Sequence, residues 1–220
     1  MKKFDNIYMK KFLYFNVYVI KGKDGDILID TGFIGMRKSL KKWLDKFNIK
    51  LIILTHAHVD HVWNVDYLKK LYGCDVAIGK LDVENLDNSK IENSPKSRFF
   101  NGWAKLMKWG MNKFVPKRFD VDMFLEDNQY INKYDLDLKI VNLSGHTDGS
   151  IGILYNDYLF AGDALVNRRI RRVEVAYQNQ NNDEALRSSR RILDLKPKMV
   201  FVGHDRAISF NKLKRSLKNV

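Results

Sequence analysis

Short apolar runs separated by polar and turn-forming residues recur along the chain, a pattern typical of β-strands. We predict strands at 12–20, 27–29, 51–54, 76–78, 138–143, 151–155, 158–161 and 199–202. Apolar residues at helical spacing predict helices at 36–47, 65–72, 182–193 and 210–217. Because strands dominate each half with helices between them, the pattern favours two sheets packed together with helices outside.

One segment, at about 80–127, does not follow this alternation of strands and helices. We interpret it as a helical insertion in a single domain spanning 1–220. Apolar residues from Phe99 to Phe114 fall on one face of a predicted helix at 98–114, and basic residues occupy the rest. We expect this helix to be a lid, a core element or the contact of a homodimer, rather than a membrane or nucleic-acid element.

Composition narrows the class of protein. The 220 residues include 39 Lys and Arg against 26 Asp and Glu, a net charge of +13, but basic and acidic segments alternate. The charge therefore indicates a preference for anionic substrates rather than a nucleic-acid-binding arm. The single cysteine excludes an intrachain disulfide, and no apolar run approaches the roughly 18 to 20 residues of a membrane span. We expect a cytoplasmic protein without a signal peptide.

All five histidines lie at the ends of predicted strands, in loops that carry Gly or Asp. Four metal-competent side chains follow the strand at 51–54 within six residues, a density that core packing does not explain, because desolvated imidazoles and carboxylates need partners. Further strand ends add two histidines and a carboxylate. The set is His56, His58, Asp60, His61, His146, Asp163 and His204.

The order of these motifs resembles the metallo-β-lactamase superfamily. The matching pieces are HxHxDH at 56–61, GHT at 145–147, FAGDAL at 160–165, GHD at 203–205 and, upstream, IDTG at 29–32. They span most of the chain, and GHT and FAGDAL look most like glyoxalase II and its single-domain relatives. The resemblance implies an α/β fold of four layers, an αβ/βα sandwich of two mixed β-sheets flanked by helices, with metals at the sheet edges.

The resemblance also implies the ligand set, carried over position by position. His56, His58 and His146 resemble the ligands of a first metal; Asp60, His61 and His204 resemble those of a second; Asp163 resembles the bridging carboxylate. Three neutral imidazoles suit zinc, with iron or manganese as alternatives, and two cations close together can hold a bridging hydroxide near neutral pH. We predict a hydrolase, in which Asp60 is also a candidate proton acceptor and Asp30 orients a ligand histidine.

Departures from the family pattern and the loop after Asp163 bear on the substrate. Trp63 stands where the family commonly has a glycine, so we expect extra bulk near the mouth of the site. Arg168, Arg169 and Arg171 follow Asp163 closely, and arginines there could bind a carboxylate or phosphate. We therefore predict an ester-type bond, in a thioester, lactone or related small anionic substrate.

Three alternatives remain open at this point. The net charge and the arginines also suit a phosphodiesterase or ribonuclease of the same superfamily. The HxHxDH string is shared with mononuclear iron persulfide dioxygenases. A metal-binding regulator without catalysis is the last alternative.

Overall fold

Among the described residues, the first sheet has seven strands, six from residues 2–79 and one from residues 123–125. The computed structural model describes residues 2–83, 86, 118–167, 173–176 and 179–217. The strands are β1 (Lys2–Phe4), β2 (Ile7–Phe12), β3 (Phe15–Lys21), β4 (Asp26–Ile29), β5 (Ile49–Leu54), β6 (Asp75–Gly79) and β7 (Met123–Leu125). They follow one another in the sheet in chain order, and pairing is antiparallel up to β4 and parallel from β4 to β7.

The second sheet has the order β15-β14-β11-β10-β9-β8. Its strands are β8 (Tyr130–Lys133), β9 (Leu136–Asn142), β10 (Ile151–Tyr155), β11 (Tyr158–Gly162), β14 (Met199–Val202) and β15 (Ile208–Ser209), while β12 (Leu165–Asn167) and β13 (Val173–Val175) pair separately. The strand β10 pairs antiparallel with both β9 and β11, so β9 and β11 run in the same direction, and β14 is parallel to β11. The strands β9, β11 and β14 therefore all end at the same edge of the sheet.

Helices cover the outer face of each sheet. In the part of the chain that the structure describes, the α-helices are α1 (Arg37–Leu44), the single turn α2 (Val59–Val62), α3 (Val65–Tyr72), α4 (Asn182–Asp194) and α5 (Phe210–Ser216). Apolar residues of α1 and α3 pack on the first sheet, and those of α4 and α5 pack on the second. The predicted four-layer αβ/βα arrangement is confirmed. Among the described residues, no helix is long and apolar enough to span a membrane.

The strand β5 shows why the sequence has continuous apolar runs. Leu51 and Ile53 contribute to the core between the sheets, whereas Ile52 and Leu54 pack under the helices, and all four are fully buried. A strand covered on both faces has no solvent-facing position that would alternate with polar residues. The polar side chains that follow such a strand are therefore concentrated at its end.

The structure adds strands that were not predicted, β1, most of β2, β8, β12, β13 and β15, and it differs from the sequence interpretation at two further places. The run at 12–20 is not one strand, because Leu13, with φ of 54°, and Tyr14 form an exposed turn between β2 and β3. No Gly or Pro marks this turn in the sequence. Most of the predicted insertion, including the helix at 98–114, lies outside the described residues, and residues 123–125 at its end form β7 instead of a helix.

Candidate metal centre

Strand ends from both sheets bring the predicted metal ligands together. His56 and His58 follow β5, and the short helix α2 carries Asp60 and His61. From the second sheet, His146 follows β9, Asp163 directly follows β11, and His204 follows β14. Their donor atoms form three overlapping groups: His56, His58 and His146; His56, His61 and Asp163; and Asp60, His61 and His204.

The first group consists of three histidines. His58 Nδ1 lies 2.9 Å from His146 Nε2, and the His56 ring centroid lies 4.7 Å from that of His58 and 4.9 Å from that of His146. Burial lowers the pKa of all three imidazoles, that of His146 to about 4. All three are therefore neutral at physiological pH, the state in which an imidazole nitrogen binds a metal.

Asp60, His61 and His204, called the second group from here on, add a carboxylate. His204 Nε2 lies 3.3 Å from Asp60 Oδ2, and His61 Nε2 lies 3.7 Å from the same oxygen. Asp163 stands between the two groups: its Oδ2 is 3.0 Å from His204 Nε2 and 3.7 Å from His146 Nε2, and its Oδ1 is 3.6 Å from His61 Nε2. One carboxylate can thus reach donors of both groups.

Negative charge is concentrated around this second group. Burial opposes ionisation of Asp163, but the neighbouring His61 and His204 hold the pKa of the carboxyl well below its usual value. Burial likewise disfavours the charged form of His204, yet hydrogen bonds with Asp163 and Asp60 raise its pKa to about 10. Buried carboxylates in such a cluster need positive charge beside them, which protonated histidines or metal cations can supply.

The donor atoms themselves fit divalent metal ions. Among the described residues, His56 Nε2, His61 Nε2 and Asp163 Oδ1 are buried and have no hydrogen-bond partner. An unsatisfied buried polar atom costs roughly 1 to 3 kcal/mol, so several in one place indicate a missing ligand. Imidazole nitrogens with carboxylate oxygens are the donors that zinc and iron prefer. The residues present therefore fit the binding of divalent metal ions.

The structure places Asp30 directly behind these ligands. Asp30 Oδ2 lies 2.8 Å from His61 Nδ1, so the carboxylate accepts a hydrogen bond from the Nδ1–H of the ring and Nε2 is left to face the site. Asp30 also accepts hydrogen bonds from Thr55 N at 2.9 Å and Thr55 Oγ1 at 2.9 Å, and that hydroxyl is 3.0 Å from His56 Nδ1. Its φ of 59° is in the left-handed region, where few non-glycine residues lie. This backbone conformation aims the carboxylate at the histidines.

Two buried residues that the sequence analysis did not predict hold the loop of His204. Asn16 donates from Nδ2 to the carbonyl oxygens of Val202, at 2.9 Å, and Asp205, at 3.0 Å. Tyr18 donates from its hydroxyl to the same Val202 oxygen at 2.6 Å. Asn16 was detectable only as a polar residue inside an apolar run, and nothing in the sequence connects it with residues nearly 190 positions away.

A third missed residue is Asp82, which is fully buried in a 3-10 turn after β6. It accepts hydrogen bonds from the backbone of Ala57 and Gly149 and from the hydroxyl of Thr147. Its position after a strand end is the signal that could have identified it. That signal was hidden because we assigned 80–127 to an insertion.

The residues predicted to contact substrate stay predictions. Trp63 is only 5% exposed, and its ring packs edge-on against Phe33 with centroids 5.0 Å apart. It also lines a surface cavity of about 360 Å³ together with Arg37 and Tyr67. A contact between Trp63 and substrate stays a prediction. Arg168, Arg169 and Arg171 lie outside the described residues.

Comparisons with known proteins show what this chain is similar to. The family model of the metallo-beta-lactamase superfamily matches residues 12–204. A probable metallo-hydrolase of Methanocaldococcus jannaschii is 34% identical over 154 residues, which cover 68% of this chain and 66% of that relative. A hydroxyacylglutathione hydrolase of Haemophilus influenzae is 26% identical over 174 residues, covering 77% of this chain and 74% of the relative.

Solved structures share the fold. A metallo-beta-lactamase family protein of Thermus thermophilus superimposes with a TM-score of 0.73 at 20% identity, over 98% of this chain and 78% of that one. A protein crystallised in a di-iron-bound form gives a TM-score of 0.71 at 21% identity, over 95% of this chain and 96% of that one. At this level of identity the likeness concerns the arrangement of sheets and helices.

Proposed function

The chain belongs to the metallo-beta-lactamase superfamily, and from that premise we propose that it is a dinuclear metal-dependent hydrolase that cleaves an ester-type bond in a small anionic substrate. A thioester or a lactone is the substrate class that we favour. The observation that carries the proposal is the set of buried, unpartnered donor atoms on His56, His61 and Asp163, converging from two sheets.

Two divalent cations held by these residues would supply a water-derived nucleophile at neutral pH and positive charge for the developing oxyanion. The protein's own residues do the rest. Asp30 holds the Nδ1 proton of His61, so that Nε2 stays available. Burial disfavours the charged form of Asp60, but His61 and His204 lower its pKa, so its carboxylate is ionised and can accept a proton released during hydrolysis.

Zinc is the metal that we favour, because three neutral histidines form a donor set that zinc commonly takes in hydrolases. Iron and manganese are the alternatives, and iron gains weight from the similar structure that was crystallised in a di-iron-bound form. Metal analysis of protein purified from its native host would decide among them.

The substrate class rests on two supports. One relative carries a name that states hydrolysis of a hydroxyacylglutathione, and an acylglutathione is a thioester. The net charge of +13 favours anionic substrates through long-range attraction. Since β-lactams, lactones and phosphodiesters are also cleaved on this fold, the bond type has to be measured.

The test is turnover by metal-loaded protein on a panel of thioesters, lactones, β-lactams and phosphodiesters, with and without chelator. We expect hydrolysis of a thioester or lactone that chelation abolishes and added zinc restores. His58→Ala should lose nearly all of this activity, whereas the exposed Tyr130→Ala serves as a folded control. Full activity in His58→Ala would contradict the proposal.

The same experiment separates the other candidates. Preferred cleavage of RNA or a phosphodiester would indicate the nuclease. One iron per chain, with oxygen consumed on a persulfide, would indicate the dioxygenase. Metal binding without turnover on any substrate would indicate the regulator.

We also propose a cytoplasmic location, supported by the buried free thiol of Cys74, and a homodimer through the segment at 98–114. Cell fractionation tests the first proposal. Light scattering of the purified protein tests the second, and a monomer at micromolar concentration would contradict it.

A further inference from the structure

One buried carboxylate connects the two loops that carry the three-histidine group. Asp82 Oδ2 accepts hydrogen bonds from Ala57 N at 2.7 Å and from Thr147 Oγ1 at 2.8 Å, and Oδ1 accepts one from Gly149 N at 3.0 Å. Ala57 lies between His56 and His58, and Thr147 directly follows His146. The carboxylate thus contacts one residue beside each histidine of the group.

The backbone around Asp82 is packed so closely that the connection has little freedom. A Cβ on Gly149 would stand 2.2 Å from Asp82 N, and a Cβ on Gly79 would stand 2.1 Å from Gly149 O. Both glycines allow the turn after β6 to lie directly against the loop of His146. Asp82 is fully buried, so water does not compete for its oxygens.

The geometry of the ligands depends on this contact. His58 comes from the loop after β5 in the first sheet and His146 from the loop after β9 in the second, yet their nitrogens lie 2.9 Å apart. Among the described residues, the strands of the two sheets do not pair side by side, and the backbone contacts between them include a bridge between Phe15 and His204 and a 2.9 Å hydrogen bond from Ile151 N to Thr55 O. A polar contact that spans both loops therefore contributes directly to their separation.

We propose that Asp82 is a positioning residue for the three-histidine metal site, because its carboxylate fixes the loop of His56 and His58 relative to the loop of His146. This inference rests on the metal-binding part of the proposed function. Partners behind metal ligands typically contribute about 10- to 100-fold in metal affinity. Asp82 differs from such partners because it bonds to backbone N–H groups and a hydroxyl beside the ligands rather than to their rings.

The test is Asp82→Asn, which keeps the size of the side chain but replaces one acceptor oxygen by a donor amide. That amide must then face an N–H group, of either Ala57 or Gly149, so at least one connection is lost. We expect Zn²⁺ affinity, measured in competition with a chromophoric chelator, to fall about 10- to 100-fold at the tighter site. In the metal-free protein, the amide protons of Ala57 and Gly149 should exchange faster with solvent.

The matched control is Asp26→Asn. Asp26 is also buried, at 3% exposed, and its carboxylate also accepts backbone hydrogen bonds, from Gly22 N at 3.1 Å and Asn48 N at 2.7 Å, but away from the histidines. We expect it to lower the free energy of unfolding without changing Zn²⁺ affinity. Unchanged affinity in Asp82→Asn, or an equal loss in Asp26→Asn, would overturn the proposal.

Variants of Thr147 keep the test available if Asp82→Asn does not fold. Thr147→Val removes the hydroxyl, which donates to Asp82 and also lies 2.7 Å from Ser150 Oγ, and should weaken Zn²⁺ binding, while Thr147→Ser should restore it. Equal affinities in these two variants would contradict a positioning role. Failure of the hydrolase proposal is distinguishable, because it is a lack of turnover by wild-type protein whose zinc affinity still depends on Asp82.

Discussion

Replacing Gly203 by alanine places one methyl group directly against the proposed metal ligands. Gly203 does not have a positive φ, so alanine suits its backbone conformation. The added Cβ would stand 2.1 Å from Asp163 Oδ1 and 2.5 Å from His61 Cε1. Since such contacts below 3.0 Å are essentially never observed, the Asp163 carboxylate must move by about 0.9 Å.

The size of the effect follows from this displacement. A shift of about 1 Å in a positioned group costs roughly 100-fold in rate, which corresponds to about 2.7 kcal/mol in activation free energy. Asp163 reaches donors of both metal groups, so we expect kcat/KM to fall by about 100-fold and the number of tightly bound metal ions to fall with it.

Two other glycines provide the controls for Gly203→Ala. At Gly35 an added Cβ meets nothing within 4 Å, so Gly35→Ala should leave both activity and stability unchanged. Gly73 also has open space but a φ of 59°, so Gly73→Ala should lower only the free energy of unfolding. The measurements are steady-state kinetics on the best ester-type substrate, metal content and urea unfolding. Wild-type kinetics and metal content in Gly203→Ala would refute the reasoning.

Three further predictions concern buried or partly buried polar groups. Asp30→Asn should weaken zinc affinity by about 10- to 100-fold in chelator competition, because the ring of His61 loses its carboxylate acceptor, and unchanged affinity would count against this role. Asn16→Ala leaves the Asp205 carbonyl without this donor and the Val202 carbonyl with only that of Tyr18, so it should lower the free energy of unfolding by about 1 to 3 kcal/mol in urea titrations; no loss would show that water replaces the amide. Burial opposes ionisation of Asp127, but hydrogen bonds from Asn142 N and from the Arg191 guanidinium outweigh burial and lower the pKa of this carboxyl. The carboxylate therefore stabilises the fold at neutral pH, and this stabilisation is lost in acid. The difference in stability between wild type and Asp127→Asn should accordingly narrow as the pH falls below about 3.8, and a constant difference would contradict this account.

The sandwich was predictable from sequence because its strands are continuous apolar runs. The proposed ligands were predictable because metal-binding residue types stand at the ends of those strands. Continuous apolar runs such as Leu51–Leu54 mark strands buried on both faces. Side-chain chemistry alone then identifies the histidines after these strands as candidate metal ligands. The turn at Leu13 was not predictable, since neither of its residues is a turn former and its positive φ is imposed by the pairing of β2 with β3.

The residues that hold the proposed ligands were missed for a different physical reason. Asp82, Asn16 and Tyr18 act on backbone groups, and a backbone N–H or carbonyl looks the same at every position of a sequence. Their partners become defined only when the two sheets pack, so the pattern of residue types carries no record of them. The sequence shows which residues are histidines and so which can bind a metal. The distance between two histidines depends instead on contacts to the backbone of their loops, which the sequence does not show. Substitutions at Asp82 and Asn16 should therefore alter metal affinity or loop stability without removing any proposed ligand. They test how the two sheets form one site more directly than substitutions of the ligands do.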